Sequence, residues 1–223
     1  MATPRHSATV RVTHWLTTIC AFALLLSGIE ILISHPRFYW GEYGNVNEQP
    51  LFTIPIPASR GSVPTGYGYV LPDQNGWSRS LHFQAAWLLF FTALVYLIHG
   101  FRRGHFRRNL TPRREDLAPA SLAKHLQENH AADDTYNPIQ RLTYLFVVFV
   151  LFPGLVWTGL AMSPGFVAAF PFTVSLLGGQ QSARTIHFIL TVVLIAFVVT
   201  HVAMIIRAGF YARVRAMFTG RQK

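Results

Sequence analysis

Cysteine and charge are both scarce in this sequence of 223 residues. Cys20 is the one cysteine, so the chain cannot form an internal disulfide, a CxxC redox motif or a cysteine-ligated iron–sulfur cluster. Charged residues make up 13% of the sequence and hydrophobic residues 51%, which is too apolar for an ordinary soluble domain of this length. These shortages indicate an integral membrane protein in which any redox centre is held by histidine.

Acidic residues are also few, because 9 Asp and Glu stand against 19 Lys and Arg and give a formal net charge of +10. A nucleic-acid partner is not predicted, since no motif for DNA or RNA recognition accompanies the basic residues. They cluster instead beside the apolar runs. All but Arg37, Arg60, Arg79 and Arg184 lie in the two tails and in the connection between the second and third runs, which would be on the same side of a membrane. The positive-inside rule therefore predicts that both chain termini are cytoplasmic.

Four long apolar runs are present, at about residues 12–33, 80–101, 139–162 and 183–207. Each is long enough to cross a bilayer, which requires about 20 apolar residues in a helix. The sequence predicts an all-α integral membrane protein, a four-transmembrane-helix bundle. An outer loop at 34–79, rich in proline, glycine and aromatic residues, is predicted to act as a lid or docking surface. A hydrophilic cytoplasmic connection is predicted at 102–138.

Histidines inside the fourth run suggest what the bundle binds. His187 and His201 are 14 residues apart, so they share one helix face and lie about 21 Å apart at ~1.5 Å per residue. Each would therefore lie near one membrane surface. A buried imidazole must be paired, hydrogen-bonded or ligated, and a haem iron accepts a neutral imidazole at such depth.

The other runs supply partners at matching depths. His14 opens the first run on the cytoplasmic side and His82 opens the second on the outer side, which predicts an inner haem between His14 and His201 and an outer haem between His82 and His187. Bis-histidine ligation leaves no open position for a substrate and favours electron transfer. No CxxCH motif occurs, so both haems are predicted to be non-covalent haem b. His99 is left open as an alternative inner ligand, a quinone hydrogen-bond partner, a haem propionate partner or an interfacial histidine.

The segments that carry these histidines, RVTHW, LHFQAAW and RTIHFILTVVLIAFVVTH, resemble the prokaryotic cytochrome b561 and nickel–iron hydrogenase cytochrome b subunit superfamily. The b subunits of formate dehydrogenase and thiosulfate reductase are similar too, and the resemblance extends over nearly the whole chain. It implies a four-helix subunit with two haems b that passes electrons between membrane quinone and a dehydrogenase or reductase. It also implies a bacterial cytoplasmic (inner) membrane location, in which the loop at 34–79 is periplasmic. It also implies the same pairing, His14 with His201 and His82 with His187.

The long outer loop and the cytoplasmic connection distinguish this chain from the smallest stand-alone members of that superfamily. Its segment HPRFYWGEYGN resembles a loop of cytochrome b subunits that accompany periplasmic molybdopterin oxidoreductases. The predicted function is therefore transmembrane electron transfer between the quinone pool and a periplasmic oxidoreductase subunit or soluble redox protein. His99, Arg11 and Arg102 lie at the level expected for a quinone.

One alternative is a stand-alone quinone-linked oxidoreductase that acts on a small periplasmic donor such as superoxide. Such an enzyme would need a basic funnel at the outer surface, for which Arg79 and Arg184 are the candidates. A further alternative is a haem-free helical scaffold or transporter. Whether two copies of the chain pair as a homodimer is left open.

Overall fold

The computed structural model describes residues 7–44, 47–56, 72–111 and 138–220. Parts of the loop predicted at 34–79 and of the connection predicted at 102–138 lie outside these described residues. The described helices and strands are, in chain order, α1 (Ala8–Ser34), β1 (Arg37–Phe38), β2 (Phe52–Thr53), α2 (Pro72–Arg102), the π-helix π1 (Phe106–Leu110), α3 (Pro138–Phe146), the π-helix π2 (Val147–Leu151), α4 (Phe152–Ala161), α5 (Pro164–Ala169), α6 (Phe172–Ser175), α7 (Gln180–Arg207) and α8 (Phe210–Thr219).

Four helical segments are long and apolar enough to cross a membrane, which confirms the predicted all-α membrane fold. They are Ala8–Ser34, Gly76–Arg102, Ile139–Ala161 and Gln180–Arg207. Large apolar side chains such as Phe22, Phe91 and Val199 are exposed on these helices, as expected for surfaces that face lipid. Fully buried positions include the small residues Ser27 and Ser78, which allow helix backbones to approach one another closely.

The helices extend beyond the apolar runs from which they were predicted. Helix α2 begins at Pro72 rather than near Ser80, and α1 begins at Ala8 rather than near Val12. A hydropathy pattern detects the part of a helix that lies in hydrocarbon, whereas polar turns outside it leave no such signal. Proline is favoured at the first position of a helix because its missing N–H would be unpaired there. Because α2 begins at Pro72, the connection from α1 to α2 is shorter than the loop predicted at 34–79.

The third membrane segment is interrupted by the π-helix Val147–Leu151, which ends two residues before Pro153. Proline lacks an N–H and its ring displaces the carbonyl one turn earlier, so a wider helical turn accommodates the break. Gly154 follows directly, and a Cβ at this position would lie 3.0 Å from Cδ1 of Leu190. Glycine here lets α4 and α7 pack closely.

The chain divides into two compact units. The first, named the His82 unit, comprises His14–Ala93 and Val156–Ile189. The second, named the His201 unit, comprises Met1–Thr13, Leu94–Leu155 and Leu190–Lys223. Each unit is described by itself below.

In the His82 unit, the chain after α1 forms an antiparallel hairpin in which Arg37 pairs with Thr53 and Phe38 with Phe52. The Phe38 ring stacks on Phe52 at 4.7 Å and contacts Phe188 of α7 at 4.5 Å, centroid to centroid. Phe38 is only 3% exposed. These aromatic rings therefore attach the hairpin to α7, in addition to any contact with the membrane surface.

The same segment caps the start of α7. The Gly41 carbonyl accepts hydrogen bonds from the Gln181 N–H at 2.9 Å and the Ser182 N–H at 3.2 Å. The Glu42 carboxylate accepts one from the Gln180 N–H at 3.1 Å. The first N–H groups of a helix have no partner within it and carry partial positive charge, so a carbonyl and a carboxylate stabilise this end.

Two further contacts complete this clamp. The Thr185 hydroxyl donates to the Tyr39 carbonyl at 2.7 Å. Gly179 has a φ of +116°, and a Cβ there would lie 2.5 Å from the Gly41 carbonyl carbon, so a residue without a side chain is required. The segment after α1 is thus fixed to the start of the helix that carries His187.

In the His201 unit, Arg11 joins the start of α1 to the end of α8. Its guanidinium donates to the Phe218 carbonyl at 2.6 Å, where a cation interacts favourably with the helix C-terminus. Gly220 follows with a φ of +76°, and a Cβ there would lie 3.1 Å from Cζ of Arg11. Arg11 therefore has a structural contact of its own.

Candidate functional site

The imidazole rings of His82 and His187 lie next to each other in the His82 unit, in an edge-type arrangement. Their centroids are 6.3 Å apart and their planes are inclined by 63°. A bond between a first-row metal ion and an imidazole nitrogen is about 2.0–2.1 Å long. Two imidazoles on opposite sides of one such ion therefore have centres roughly 6–6.5 Å apart. The separation fits one metal ion, such as a haem iron, held between α2 and α7.

A buried serine fixes the protonation of His82. The Oγ atom of Ser27 lies 3.0 Å from Nδ1 of His82, and the same hydroxyl donates to the Ala23 carbonyl at 2.7 Å. A hydroxyl has one hydrogen to donate, so towards His82 it acts as an acceptor and the ring nitrogen Nδ1 carries the proton. The neutral ring then keeps its lone pair on Nε2, the form that binds a metal.

His187 has an equivalent neighbour. The Oγ1 atom of Thr158 lies 2.8 Å from Nδ1 of His187, and Thr158 is 2% exposed. Each imidazole of the pair therefore contacts the hydroxyl of a buried residue on another helix, α1 for His82 and α4 for His187.

A glycine follows each of these hydroxyl residues and lies against the same ring. A Cβ on Gly28 would be 3.7 Å from Cε1 of His82, and one on Gly159 would be 3.6 Å from Cε1 of His187. A side chain larger than a methyl group would reach the rings. Ser27 and Thr158 were not predicted from the sequence. The signal available there was a hydroxyl–glycine dipeptide inside two apolar helices.

The two predicted inner ligands fall in different units. His14, in the His82 unit, has its ring edge-on to Trp15 at 5.4 Å. His201, in the other unit, stacks on Phe197 at 5.7 Å and meets Tyr144 edge-on at 6.4 Å. The pairing of His14 with His201 stays a prediction from depth and from the family resemblance.

His99, the alternative inner ligand, contacts a residue near the chain start. Its Nε2 atom lies 3.2 Å from the Ser7 hydroxyl. To bind a metal, His99 would have to release Ser7 or use its other ring nitrogen. Ligation of the inner haem by His99 stays a prediction.

The two arginines suggested for an outer funnel differ in their surroundings. A guanidinium nitrogen of Arg184 donates to the Arg37 carbonyl, and its Cζ atom lies over the Phe38 ring at 5.5 Å. Arg184 therefore helps to hold the hairpin. Arg79 is exposed.

Four helices that are long and apolar enough to cross a membrane, with the neighbouring imidazoles of His82 and His187 on two of them, are the arrangement expected of a helical membrane cytochrome. The family model described as prokaryotic cytochrome b561 matches residues 5–220. The chain belongs to this family, so it is a membrane haem protein of electron transport. The match confirms the predicted family and the multi-pass bacterial membrane location.

A relative in Azospira oryzae (strain ATCC BAA-33 / DSM 13638 / PS) is similar over most of its length. It is provisionally named protein-methionine-sulfoxide reductase subunit YedZ1, and it is 32% identical over 207 residues, covering 90% of this chain and 89% of the relative. No solved structure matches the chain.

Proposed function

We propose that this chain is a di-haem b-type cytochrome that transfers electrons across the membrane between the quinone pool and a periplasmic oxidoreductase. The observation that carries the proposal is the 6.3 Å separation of the His82 and His187 rings. These two residues would hold the outer haem. When bound, a haem supplies an iron that takes up and releases one electron at a time.

The inner haem would be held by His14 and His201, with His99 as the competing ligand. The support is the spacing of 14 residues between His187 and His201, which puts the second ligand of α7 about 21 Å from the first. The excess of basic residues near the termini and after α2 supports a cytoplasmic location for this end.

The partner would be a reductase subunit on the periplasmic side, of the molybdopterin type suggested by the outer loop. The relative named as a protein-methionine-sulfoxide reductase subunit supports a partner that reduces methionine sulfoxide. Sulfoxide reduction consumes electrons, so they would flow from quinol at the inner haem towards the partner. Quinol binding would need hydrogen-bonding groups near the inner haem, for which His99 is the preferred candidate and Arg102 the next.

The clamp on α7 supports docking at the outer end. A segment already fixed by hydrogen bonds to Gln180, Gln181 and Thr185 loses little conformational freedom when a partner binds. The exposed side chains of Trp40 and Tyr43 lie in this segment.

A self-sufficient enzyme acting on superoxide is the weaker alternative. It needs outer cations that face a substrate, whereas Arg184 donates to the Arg37 carbonyl and lies over Phe38. Purified protein without a partner would have to reduce quinone with a small donor for this alternative to hold.

Haem counting on purified variants tests the ligands. We expect His82→Ala and His187→Ala each to lose one haem and keep the other, because each removes an outer ligand. His14→Ala and His201→Ala should each lose the other haem, and His99→Ala should keep both. Reduced-minus-oxidised spectra with a quantitative haem assay give the counts. Retention of both haems in His187→Ala would refute the outer site, and retention in His14→Ala with loss in His99→Ala would reassign the inner ligand.

A further inference from the structure

Two buried hydroxyl groups contact the imidazoles of His82 and His187, one hydroxyl for each ring. The Ser27 Oγ and Thr158 Oγ1 atoms lie 3.0 and 2.8 Å from Nδ1 of His82 and His187. Ser27 and Thr158 are 0% and 2% exposed, so water does not compete for these contacts.

We propose that Ser27 and Thr158 are positioning residues that hold the two imidazoles in their metal-binding form and orientation and lower the reduction potential of the outer haem. The inference rests on the proposed function, since it requires His82 and His187 to be the ligands of that haem. Neither Ser27 nor Thr158 would touch the iron.

Proton positions follow from the hydrogen bonds. A neutral imidazole that binds a metal through Nε2 carries its hydrogen on Nδ1. Ser27 already donates to the Ala23 carbonyl at 2.7 Å, so its oxygen accepts from His82. The same requirement makes the Thr158 oxygen an acceptor for His187. Both hydroxyls therefore stabilise the tautomer that leaves Nε2 for the metal.

The same hydrogen bonds affect the electron density on the ring nitrogen that would bind the metal. An acceptor at Nδ1 makes the other ring nitrogen a more basic ligand. A more basic ligand stabilises ferric iron more than ferrous iron, because the ferric state carries the larger charge. Loss of either acceptor should therefore raise the midpoint potential of the outer haem.

The hydroxyls also restrict ring rotation. The two planes are inclined by 63°, and Gly28 and Gly159 leave room at Cε1 of each ring. Without the hydrogen bond, a ring beside a glycine is free to turn about its Cβ–Cγ bond. The inter-ring angle affects the electron paramagnetic resonance spectrum of a low-spin ferric bis-histidine haem, so a change of angle is measurable.

The test compares isosteric variants in the purified holoprotein. Thr158→Val keeps the shape of the side chain and removes the acceptor, whereas Thr158→Ser keeps the acceptor. In a redox titration we expect Thr158→Val to raise one midpoint potential, to leave the other unchanged and to alter the ferric resonance of that haem. Thr158→Ser should have the midpoint potential and the ferric resonance of the wild type. Ser27→Ala should raise the same potential, because it removes the acceptor at Nδ1 of His82.

Thr92→Val is the matched control. Thr92 is 4% exposed, and its hydroxyl donates to the Leu88 carbonyl of its own helix at 2.7 Å. We expect both potentials to stay at their wild-type values in this variant. Equal potentials in Thr158→Val and wild type, or an equal shift in Thr92→Val, would overturn the inference.

Haem counts separate the two possible failures. If His187→Ala retains both haems, the proposed outer site is wrong. If His187→Ala loses one haem while Thr158→Val leaves the potentials and the resonance unchanged, the outer site stands and the positioning role is wrong. Loss of the outer haem in Thr158→Val but not in Thr158→Ser supports the positioning role.

Discussion

Burial and two nearby cations act on His35, which follows the last residue of α1. Burial lowers the pKa of its imidazole below the ordinary value of 6.5, and the positive charges of Arg184 and Arg79 lower it further, against an opposing hydrogen bond to Ile31. The folded protein therefore holds this ring neutral. The stability that depends on neutral His35 is complete above pH 6.5 and is lost as the pH falls below it, because the unfolded chain takes up a proton more readily.

The variant His35→Gln should be less sensitive to acid than the wild type. We expect the thermal unfolding midpoint of the wild type in detergent to fall more between about pH 7.5 and about pH 5.5 than that of the variant. The comparison cancels the other histidines, which both proteins share. An equal fall in the two proteins would contradict this account.

Histidines could be identified from the sequence, but their neighbours could not. A histidine in an apolar run is conspicuous because burying an unpaired imidazole is costly. Serine and threonine are common in membrane helices, where they donate to their own backbone, as Thr92 does to Leu88. Whether a hydroxyl also meets a histidine depends on how two helices are rotated against each other. The hydroxyl–glycine dipeptides at Ser27 and Thr158 are visible in the sequence, but their contacts with His82 and His187 require the folded structure.

At the scale of elements, the clamp between the segment after α1 and the start of α7 depends on Gly179. Its φ of +116° is unfavourable for residues with a side chain, and a Cβ would lie 2.5 Å from the Gly41 carbonyl carbon. Gly179→Ala should therefore destabilise the protein by at least about 1–3 kcal/mol. The thermal unfolding midpoint of the purified protein measures this.

Gly165→Ala is the control for that substitution. Gly165 lies in α5 and a Cβ there meets nothing within 4 Å, while alanine is favoured over glycine in a helix by about 0.5–1 kcal/mol. We expect its unfolding midpoint to equal or slightly exceed that of the wild type. Equal midpoints for Gly179→Ala and Gly165→Ala would argue against the clamp.

The helices that lie in the hydrocarbon of the membrane could be predicted from the sequence. The elements near the membrane surfaces could be predicted less well. Hydropathy identifies the spans because every backbone group in lipid must be paired inside a helix. The polar first turns of α2 leave no hydropathy signal. The hairpin at Arg37–Phe38 and Phe52–Thr53 packs its aromatic rings against α7, and no simple periodicity reports such packing. A proline within a helix, such as Pro153, is expected to disturb it, but the form of the disturbance as the π-helix Val147–Leu151 depends on packing around it.

At the scale of the whole molecule, electron transfer across the membrane requires a fixed orientation. If the outer haem faces a periplasmic partner, the segment after α1 must be periplasmic and the segment after α2 cytoplasmic. The distribution of arginine and lysine supports this orientation. The scarcity of cysteine makes the orientation measurable, because Cys20 is 1% exposed and lies within a membrane helix.

We therefore expect single introduced cysteines to report the topology without background. Gln49 and Thr111 are both exposed, the first in the segment after α1 and the second after π1. In spheroplasts, a maleimide that cannot cross membranes should modify Gln49→Cys and leave Thr111→Cys unmodified. After lysis both should react, and the parent chain should stay unlabelled in each condition. Modification of Thr111→Cys but not Gln49→Cys in spheroplasts would invert the orientation, and the His82–His187 pair would then face the cytoplasm, where a periplasmic reductase could not receive its electrons.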